Sequence, residues 1–365
     1  MYIRKLTFEN YRNLQPAAFF PAEGINVIYG DNAQGKTNLL ESIWLFTGGR
    51  SFRGARDSEL ITFHQPYAHL TLQFHANERE QTIDLTLRPH QRTAILNDVP
   101  QSNMVQLVGH FCSVVFSPHH LSLVRSGPEE RRHFMDAALC QIQPAYAVRL
   151  NRYKRILNER NALLKDIPHH RDLEDLLDIW NERLAEEGSF IAQERCHYAK
   201  KLSDSAVRFY DGISGGKELL QLAYKTVSTI SEASEREEIK QQLLTALLQR
   251  QKDDIACGFT TAGIHRDDLS VKINGKEARS FGSQGQQRSA VLAIKLAEAA
   301  ILGDAKREKP VILLDDVLSE LDMNRQQYLL KRLDGFQVLI TCCEREMAAA
   351  HAVWMRDGQI ITPEE

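Results

Sequence analysis

The amino-acid sequence predicts an α/β protein whose head combines a mixed sheet with an antiparallel meander and carries an inserted helical lobe. Three patterns indicate this fold. An apolar strand enters a glycine-rich turn and a helix near the amino terminus, strands alternate with helices after residue 310, and a long helix-periodic stretch separates these two parts. One sheet is therefore expected to be built from both ends of the chain.

The amino-terminal elements are predicted from hydrophobic periodicity. Alternating residues indicate a first strand from Ile3 to Phe8, and the apolar run from Ile25 to Tyr29 indicates a strand that ends in the glycine-rich turn. Apolar residues at helical spacing predict a helix that begins at Lys36. From His69 to Ile95 the period changes to two, which predicts the antiparallel meander.

The helix-periodic stretch from residue 118 to 255 predicts the inserted lobe. Proline and glycine interrupt it at Pro144, Pro168, Gly188, Gly212 and the Gly215-Gly216 pair, so we expect helices of ordinary length in a compact lobe instead of two continuous arms. The predicted domains are therefore a head, residues 1–117 together with 256–365, and an inserted lobe, residues 118–255.

The carboxyl-terminal part returns to strands and helices. An Asn274-Gly275 pair after alternating apolar residues predicts a hairpin turn. The elements expected after it are a helix from about Gln284 to Leu302, a strand from Val311 to Leu314, a helix near Asn324 to Leu333 and a strand from Phe336 to Ile340.

The composition is that of a globular protein. The chain has 365 residues, 43% of them hydrophobic and 25% charged, and no apolar run is long enough to cross a bilayer, so we expect a cytoplasmic protein with no membrane partner. Six cysteines without a C-x-x-C pair give no support for a zinc site. The net charge of −3, taken alone, argues against nucleic-acid binding.

The most informative motif is a G-x-x-x-x-G-K-T sequence between the predicted strand and the predicted helix. Its backbone amides can surround phosphate oxygens, Lys36 can neutralise the β and γ phosphates, and Thr37 can ligate Mg²⁺. The motif therefore predicts a nucleotide site formed by Gly30, Asp31, Asn32, Ala33, Gln34, Gly35, Lys36 and Thr37.

A carboxylate for the metal ion is expected at the end of a buried strand. The apolar run that starts at Val311 ends in Asp315, the predicted Mg²⁺ partner, and in Asp316, which is placed to polarise an attacking water. Lys36 and Asp316 are thus the catalytic candidates. A second interpretation of Asp316, as a helix N-cap or an indirect metal partner, stays open. Aspartate is shorter than glutamate, so slow hydrolysis is expected.

A serine-glycine-glutamine element precedes the long helix near residue 284. Alone, it is better explained by an N-cap with a flexible hinge. The order of motifs, however, resembles an ATP-binding-cassette head, with a Walker A motif, a signature, a Walker B motif and a D-loop containing Asp322. That resemblance implies a homodimer in which ATP lies between two heads and is reached by the partner's signature, Ser283, Gln284, Gly285 and Gln286.

Five further segments extend the resemblance over nearly the whole chain, namely Phe8–Leu14, Gly49–Arg53, Pro118–Asp136, His265–Asp268 and Leu313–Leu329. Together they resemble the RecF family of bacterial recombination-repair proteins. His119 and Ser126 depart from the family pattern, and they affect only the local loop geometry.

The similarity to SMC-type heads implies that Arg53 senses nucleotide and DNA. A surface arginine in a loop is an equally good interpretation of this residue. Thr341 and Cys342 follow the strand that ends at Ile340, where transporter cassettes carry a histidine, so no γ-phosphate sensor is expected at that position.

The RecF resemblance implies an ATP-switched DNA-binding protein with weak DNA-stimulated ATPase activity. It further implies action at single-strand gaps with RecO and RecR, recombinase loading, replication restart and SOS induction. Two alternatives are the ATPase subunit of an ABC transporter and an SMC-like structural ATPase. The basic insertion argues against the first, and the proline and glycine breaks argue against the second.

Local charge modifies the inference from net charge. Residues 148–165 contain six basic side chains and a single acid, Glu159. Such a helix face can neutralise phosphates without reading sequence, although a solvated amphipathic face is an equal alternative. Arg131 and Arg132 either extend this surface or pack the lobe through carboxylate pairs. The predicted DNA contacts are Arg149, Arg152, Lys154 and Arg155.

Overall fold

The computed structural model describes residues 1–226, 234–343 and 351–361. Contacts within the chain divide it into two compact units. The first contains residues 1–121, residues 212–216 and the chain from Val291 onward, and the second contains residues 122–211 and 217–290. The first boundary lies close to the expected residue 118, whereas the second lies well beyond residue 255.

The described ranges fold into strands, α-helices and short 3-10 helices. In chain order, the strands are β1 (Tyr2–Glu9), β2 (Ala17–Phe19), β3 (Ile25–Tyr29), β4 (Ala68–Ala76), β5 (Arg79–Arg88), β6 (Gln91–Leu96), β7 (Val99–Gln101), β8 (Ser113–Phe116), β9 (Leu220–Lys225), β10 (Asp268–Ile273), β11 (Lys276–Glu277), β12 (Val311–Asp315), β13 (Val338–Cys342), β14 (His351–Arg356) and β15 (Gln359–Ile361). The α-helices are α1 (Lys36–Trp44), α2 (Ser122–Arg125), α3 (Pro128–Ile142), α4 (Pro144–Asp166), α5 (Leu177–Ser214), α6 (Arg236–Cys257), α7 (Ala278–Phe281), α8 (Gln284–Lys306) and α9 (Met323–Arg332). The 3-10 helices cover Leu45–Thr47, Asp57–Leu60, Met104–Leu107, Pro118–Leu121, Arg171–Leu176, Ile264–Arg266 and Leu318–Glu320.

The first unit contains the predicted mixed sheet, with strand order β15-β14-β3-β13-β12-β8. The pairs from β14 to β8 are parallel and β15 is antiparallel. Every residue of β12 is buried, as expected for a strand covered on both faces. The carboxyl ends of β3, β12 and β13 lie next to one another, which brings the glycine-rich turn and the acidic residues to the same edge.

The meander forms a second sheet in the first unit, with order β2-β1-β4-β5-β6-β7. Its register pairs Leu70 with Leu85 and Leu72 with Ile83, so the apolar residues of both strands face one side. One core cluster contains these side chains together with apolar residues of α1 and of the parallel sheet. The helix that follows the glycine-rich turn is thereby held in place by two sheets.

The second unit differs from the expected all-helical lobe, because it contains a three-stranded sheet with order β11-β10-β9. Strand β9, inside the stretch predicted to be helical, pairs along its full length with β10. This pairing explains why residues 256–290 belong to the second unit. The predicted hairpin turn is confirmed, since Asn274 and Gly275 have φ angles of 50° and 77° between β10 and β11.

The prediction that Gly188 and Gly212 break helices was wrong. Both lie inside α5, which is 38 residues long and ends just before Gly215. A Cβ at position 188 would lie 3.2 Å from Leu243 and 3.3 Å from Tyr153. The glycine therefore permits close side-chain packing instead of ending the helix. No helix within the described ranges combines the length and the apolar character that a membrane crossing requires.

Candidate nucleotide site

The turn between β3 and α1 has a backbone that few residues other than glycine adopt. Gly30 has a φ angle of 152°, and a Cβ at this position would collide with the carbonyl oxygen of Met355 on β14. Gly35 caps α1 in the left-handed region with φ 104°, and Ala33 has φ 66°. The turn therefore brings the chain tightly round to the amino end of α1, where amide groups and the helix dipole favour phosphate.

Lys36 is held by the turn itself. Its Nζ donates hydrogen bonds to the carbonyl oxygens of Gly30 and Asp31, the second at 2.8 Å. The residue is only 9% exposed. The ammonium group is thus fixed at the loop that is expected to surround the β and γ phosphates.

Thr37 and Asp315 meet at the carboxyl edge of the parallel sheet. The Thr37 hydroxyl donates to Asp315 Oδ1 at 2.7 Å, and the Thr341 hydroxyl donates to the same oxygen at 3.1 Å. Burial raises the pKa of Asp315, and the hydrogen bonds from Thr37 and Thr341 oppose this only in part. A hydroxyl and a carboxylate in contact are oxygen ligands of the kind that Mg²⁺ prefers, so these residues fit the ion.

Asp316 extends from the same strand end. It is exposed and has a φ angle of 52°. Its backbone N–H donates to the Thr341 hydroxyl at 2.9 Å, and its Oδ1 accepts the Ser319 hydroxyl at 3.0 Å. Thr341 therefore contacts both acidic residues from the position where transporter cassettes carry histidine.

Glu41 of α1, which sequence reasoning did not single out, is the centre of a polar network beside the turn. Its carboxylate is completely buried. Arg53 donates to both of its oxygens, at 3.2 and 2.6 Å, and also to Asn38 Oδ1 at 2.5 Å. The remaining donors are the hydroxyls of Tyr11 and Ser51 and the guanidinium of Arg12.

This network anchors Arg53 next to the nucleotide-binding turn. Burial by itself would raise the pKa of Glu41, but hydrogen bonds and charge from Arg53, Ser51 and Arg12 together hold it below its usual value. Burial likewise opposes the charged form of Arg53, yet Glu41 and, more weakly, Tyr11 and Asp315 raise its pKa. Arg53 is therefore not a loose surface arginine. The available signal for Glu41 was an acidic residue among the apolar residues Leu39, Leu40 and Ile43 of α1.

The predicted signature lies in the second unit, at the start of α8. The Ser283 hydroxyl accepts the backbone N–H of Gln286 at 3.2 Å, and Gln286 Oε1 accepts the backbone N–H of Ser283 at 2.8 Å. This reciprocal pair is a capping box. The N-cap interpretation of Ser283 is thus realised, and it is compatible with a role in ligand binding. Gln284 is exposed and Gly285 is half-buried.

Asp322 lies at the amino end of α9 in the first unit. Its Oδ1 accepts the backbone N–H of Arg325 at 3.1 Å, and its Oδ2 pairs with the Arg325 guanidinium at 2.8 Å. The backbone hydrogen bond is the main reason that its pKa is lowered. The predicted D-loop is therefore joined to α9 by a hydrogen bond and an ion pair.

The predicted DNA contacts lie on α4 and differ in their surroundings. Arg149 and Arg152 pair with Glu187, at 3.2 and 3.8 Å. Lys154 and Arg155 are exposed, and neither has an ion-pair partner among the described residues.

Two other arginines of the basic stretch and its surroundings serve packing. Arg160 was counted with the basic stretch, but it is fully buried and pairs with Asp254 at 2.8 Å, so it adds no surface charge. Arg131 forms a bidentate pair with Asp268, at 2.6 and 3.1 Å, which favours the packing interpretation.

Known proteins match this chain over nearly its full length. The family model described as the RecF/RecN/SMC N terminal domain matches residues 2–356. The chain is 40% identical over 350 residues to the DNA replication and repair protein RecF of Ruminiclostridium cellulolyticum, an alignment that covers 95% of this chain and 94% of that protein.

Solved structures show the same relationship. A structure of the recombination mediator protein RecF-ATPrS in the RecFOR pathway matches with a TM-score of 0.94 and 37% identity, covering 100% of this chain and 98% of that one. An Smc head domain from Pyrococcus yayanosii matches with a TM-score of 0.57 at 15% identity, over 99% of this chain and 97% of that one, which shows a common fold only. These matches favour the repair hypothesis over the transporter and structural alternatives. The chain belongs to the RecF family of DNA replication and repair proteins.

Proposed function

We propose that this protein is an ATP-dependent DNA-binding protein of recombinational repair. The observation that carries the proposal is the arrangement of Lys36, Thr37 and Asp315 around a nucleotide-binding turn, in a chain whose relatives are RecF proteins. ATP closes a homodimer on DNA, and hydrolysis reopens it. The protein is thereby a switch whose two states differ in their affinity for DNA.

ATP binds at the turn between β3 and α1. Residues 30–35 supply backbone amides, and Lys36 exchanges its bonds to the loop carbonyls for bonds to the β and γ phosphates. Thr37 and Asp315 would hold Mg²⁺, since their oxygens already meet at 2.7 Å. An ion bound there would supply positive charge that neutralises the phosphates. A related solved structure is described as RecF with ATP, which supports this proposal.

The ATPase activity is weak and is stimulated by DNA. Asp316 polarises the attacking water, with its backbone steadied by Thr341. Its exposed carboxylate and short side chain are consistent with slow turnover. Arg53, anchored on Glu41, senses the state of the nucleotide from beside the turn.

The homodimer forms when the signature of one chain reaches ATP held by the other. The capped amino terminus of α8 favours an anion. It is formed by Ser283, Gln284, Gly285 and Gln286. Asp322, in the predicted D-loop, is a further candidate contact to the ATP between the two heads.

DNA at single-strand gap junctions is the proposed binding partner, with Arg149, Arg152, Lys154 and Arg155 as candidate phosphate contacts on α4. RecR and RecO are the proposed protein partners, which is consistent with related structures described as parts of the RecFOR pathway. The protein then acts in the cytoplasm in recombinase loading, replication restart and SOS induction.

The test is the nucleotide dependence of DNA binding. A fluorescent gapped duplex is titrated with protein under ATP, ADP and no nucleotide, and the anisotropy is measured at fixed ionic strength. We expect the tightest binding with ATP and loss of that difference in Lys36→Ala, because the γ-phosphate loses its counter-charge. Lys252→Ala, an exposed lysine on α6, is the matched control. Equal affinity under all three conditions would contradict the proposal.

A further inference from the structure

Glu218 joins two distant segments of the second unit. Its Oε2 accepts the phenolic hydroxyl of Tyr210, near the end of α5, at 2.6 Å. Its Oε1 accepts the side-chain amide of Gln286, in the first turn of α8, at 2.7 Å. One carboxylate thus holds the long helix of the inserted lobe and the signature element at the same time.

The position of Glu218 is fixed by its neighbours. The backbone N–H of Leu219 donates to Asn274 Oδ1 at 2.8 Å, and the backbone N–H of Asn274 donates to the Leu219 carbonyl at 2.9 Å. The next residue, Leu220, begins the ladder between β9 and β10. Tyr210 is completely buried, and its hydroxyl donates to the carboxylate. The carboxylate is therefore presented to α8 by a hydrogen-bonded frame.

The contact with Gln286 also acts on Ser283. Gln286 uses its Oε1 to accept the backbone N–H of Ser283 and its own backbone N–H to donate to the Ser283 hydroxyl. If the side chain of Gln286 rotates, the Ser283 backbone N–H loses its acceptor and that half of the capping box is broken. Holding Gln286 therefore holds the serine that the signature presents.

We propose that Glu218 is a positioning residue for the signature element, which it keeps in the conformation needed for ATP-dependent dimerisation. This inference rests on the proposed function and adds a means of regulation. Glu218 is also hydrogen-bonded to Tyr210 of α5. A displacement of α5 therefore changes how firmly the signature is held in this conformation. The inserted lobe thereby communicates with the element that reaches the partner's nucleotide.

A competing effect is charge. A carboxylate beside an element that approaches a phosphate repels it, so removal of Glu218 would strengthen dimerisation if repulsion dominated. Two substitutions separate these effects. Glu218→Ala removes both the charge and the acceptor. Glu218→Gln removes the charge only, since its amide oxygen can accept from Gln286 while its NH₂ donates to the hydroxyl of Tyr210.

The first measurement is amide hydrogen exchange of residues 283–287 in the protein without nucleotide. We expect Glu218→Ala to accelerate exchange at the Ser283 amide, which donates to the Gln286 side chain, by about tenfold, the equivalent of one lost hydrogen bond to a charged group. Glu218→Gln should stay close to the wild-type rate. Asp204→Ala is the matched control, because this exposed carboxylate of α5 contacts Lys200 on the same helix. Tyr210→Phe should act in the same direction as Glu218→Ala, to a smaller extent.

The second measurement is the ATP concentration at which half of the protein is dimeric. We expect a rise of about three- to tenfold for Glu218→Ala and little change for Glu218→Gln. The inference is overturned if exchange in Glu218→Ala equals that of the wild type, or if both substitutions tighten the dimer. A wild-type protein that never dimerises refutes the proposed function instead, and the exchange rates still decide the role of Glu218.

Discussion

Glu41 illustrates what a single residue contributes to the nucleotide site. Its carboxylate is inaccessible to solvent. The side chains of its partners Arg12 and Arg53 are 21% and 26% exposed. A buried acid with two arginine partners is costly to disrupt, because the partners lose their counter-charge while they stay partly desolvated.

Replacing Glu41 by glutamine is therefore expected to destabilise the protein. We predict a loss of about 2 to 3 kcal/mol in the free energy of unfolding, near the lower end for buried pairs because both arginines reach water. Glu80→Gln is the control, since its pair with Arg4 is exposed on both sides and is worth about 0.5 kcal/mol. Denaturant titration at neutral pH measures both changes. Equal losses in the two variants would show that the network adds nothing.

The same residue gives a pH dependence. The pKa of Glu41 in the folded protein lies below its ordinary value, so its stabilising effect is complete above the ordinary glutamate pKa of about 4.3. It is lost as the pH falls through the lower pKa of the folded state. The difference in stability between wild type and Glu41→Gln should thus be constant from pH 7 to 5 and shrink below about pH 4. A difference that grows on acidification would reverse this assignment.

Among the elements, the helices α4, α5 and α6 are joined by one buried arginine. Arg160 of α4 donates to Asn181 of α5 at 2.9 Å, to Asp254 of α6 at 2.8 Å and to Thr260 at 2.7 Å. Both members of the pair between Arg160 and Asp254 are completely buried. The packing of the three helices depends on this pair, since either charge alone would be uncompensated.

Asp254→Ala is expected to destabilise the second unit by about 3 to 5 kcal/mol. Asp253→Ala, one residue earlier, should cost about 0.5 kcal/mol or less, because Asp253 and its partner Arg250 are largely exposed. Thermal and denaturant unfolding of the two variants provide the comparison. Similar stabilities for both would mean that Arg160 finds another partner by rearrangement.

The exposed face of α4 makes a separate prediction about DNA. Lys154 and Arg155 are exposed to solvent, and each can neutralise about one phosphate. The double substitution Lys154→Ala with Arg155→Ala should weaken binding to every DNA sequence and reduce the slope of log affinity against log salt by ~2. Lys252→Ala, an exposed lysine of α6 that is not among the candidate DNA contacts, is the control. A double variant with an unchanged salt slope would remove Lys154 and Arg155 from the DNA interface.

On the scale of the whole molecule, the strands of the head were the most predictable part. The predicted strand from Ile25 to Tyr29 coincides with β3, and the acidic strand and the meander lie where periodicity placed them. Strands β8, β9 and β14, of four, six and six residues, were not predicted. Strand β9 lies inside the stretch predicted to be helical, and a run of this length is not distinguished as a strand until a neighbouring strand pairs with it.

The candidate site was likewise predicted only in part. The contact between Thr37 and Asp315 was expected, because Thr37 follows the turn at the end of β3 and Asp315 ends β12, two strands of one sheet. The network of Glu41 was not, because its donors come from two separate segments, residues 11–12 and 51–53, that only the tertiary fold brings together. Arg160 was wrongly counted as surface charge, since sequence does not reveal that a distant acid is buried with it.

The central claim is that ATP assembles two copies of this chain. Light scattering of the 41.6 kDa protein, with and without ATP, Mg²⁺ and gapped DNA, measures the assembly directly. We predict that the mass doubles when ATP, Mg²⁺ and DNA are present. Lys36→Ala should fail to dimerise, and Asp316→Asn should remain dimeric for longer than the wild type because hydrolysis is slowed. A monomer under every condition, or a dimer of Lys36→Ala that matches the wild type, would contradict the account.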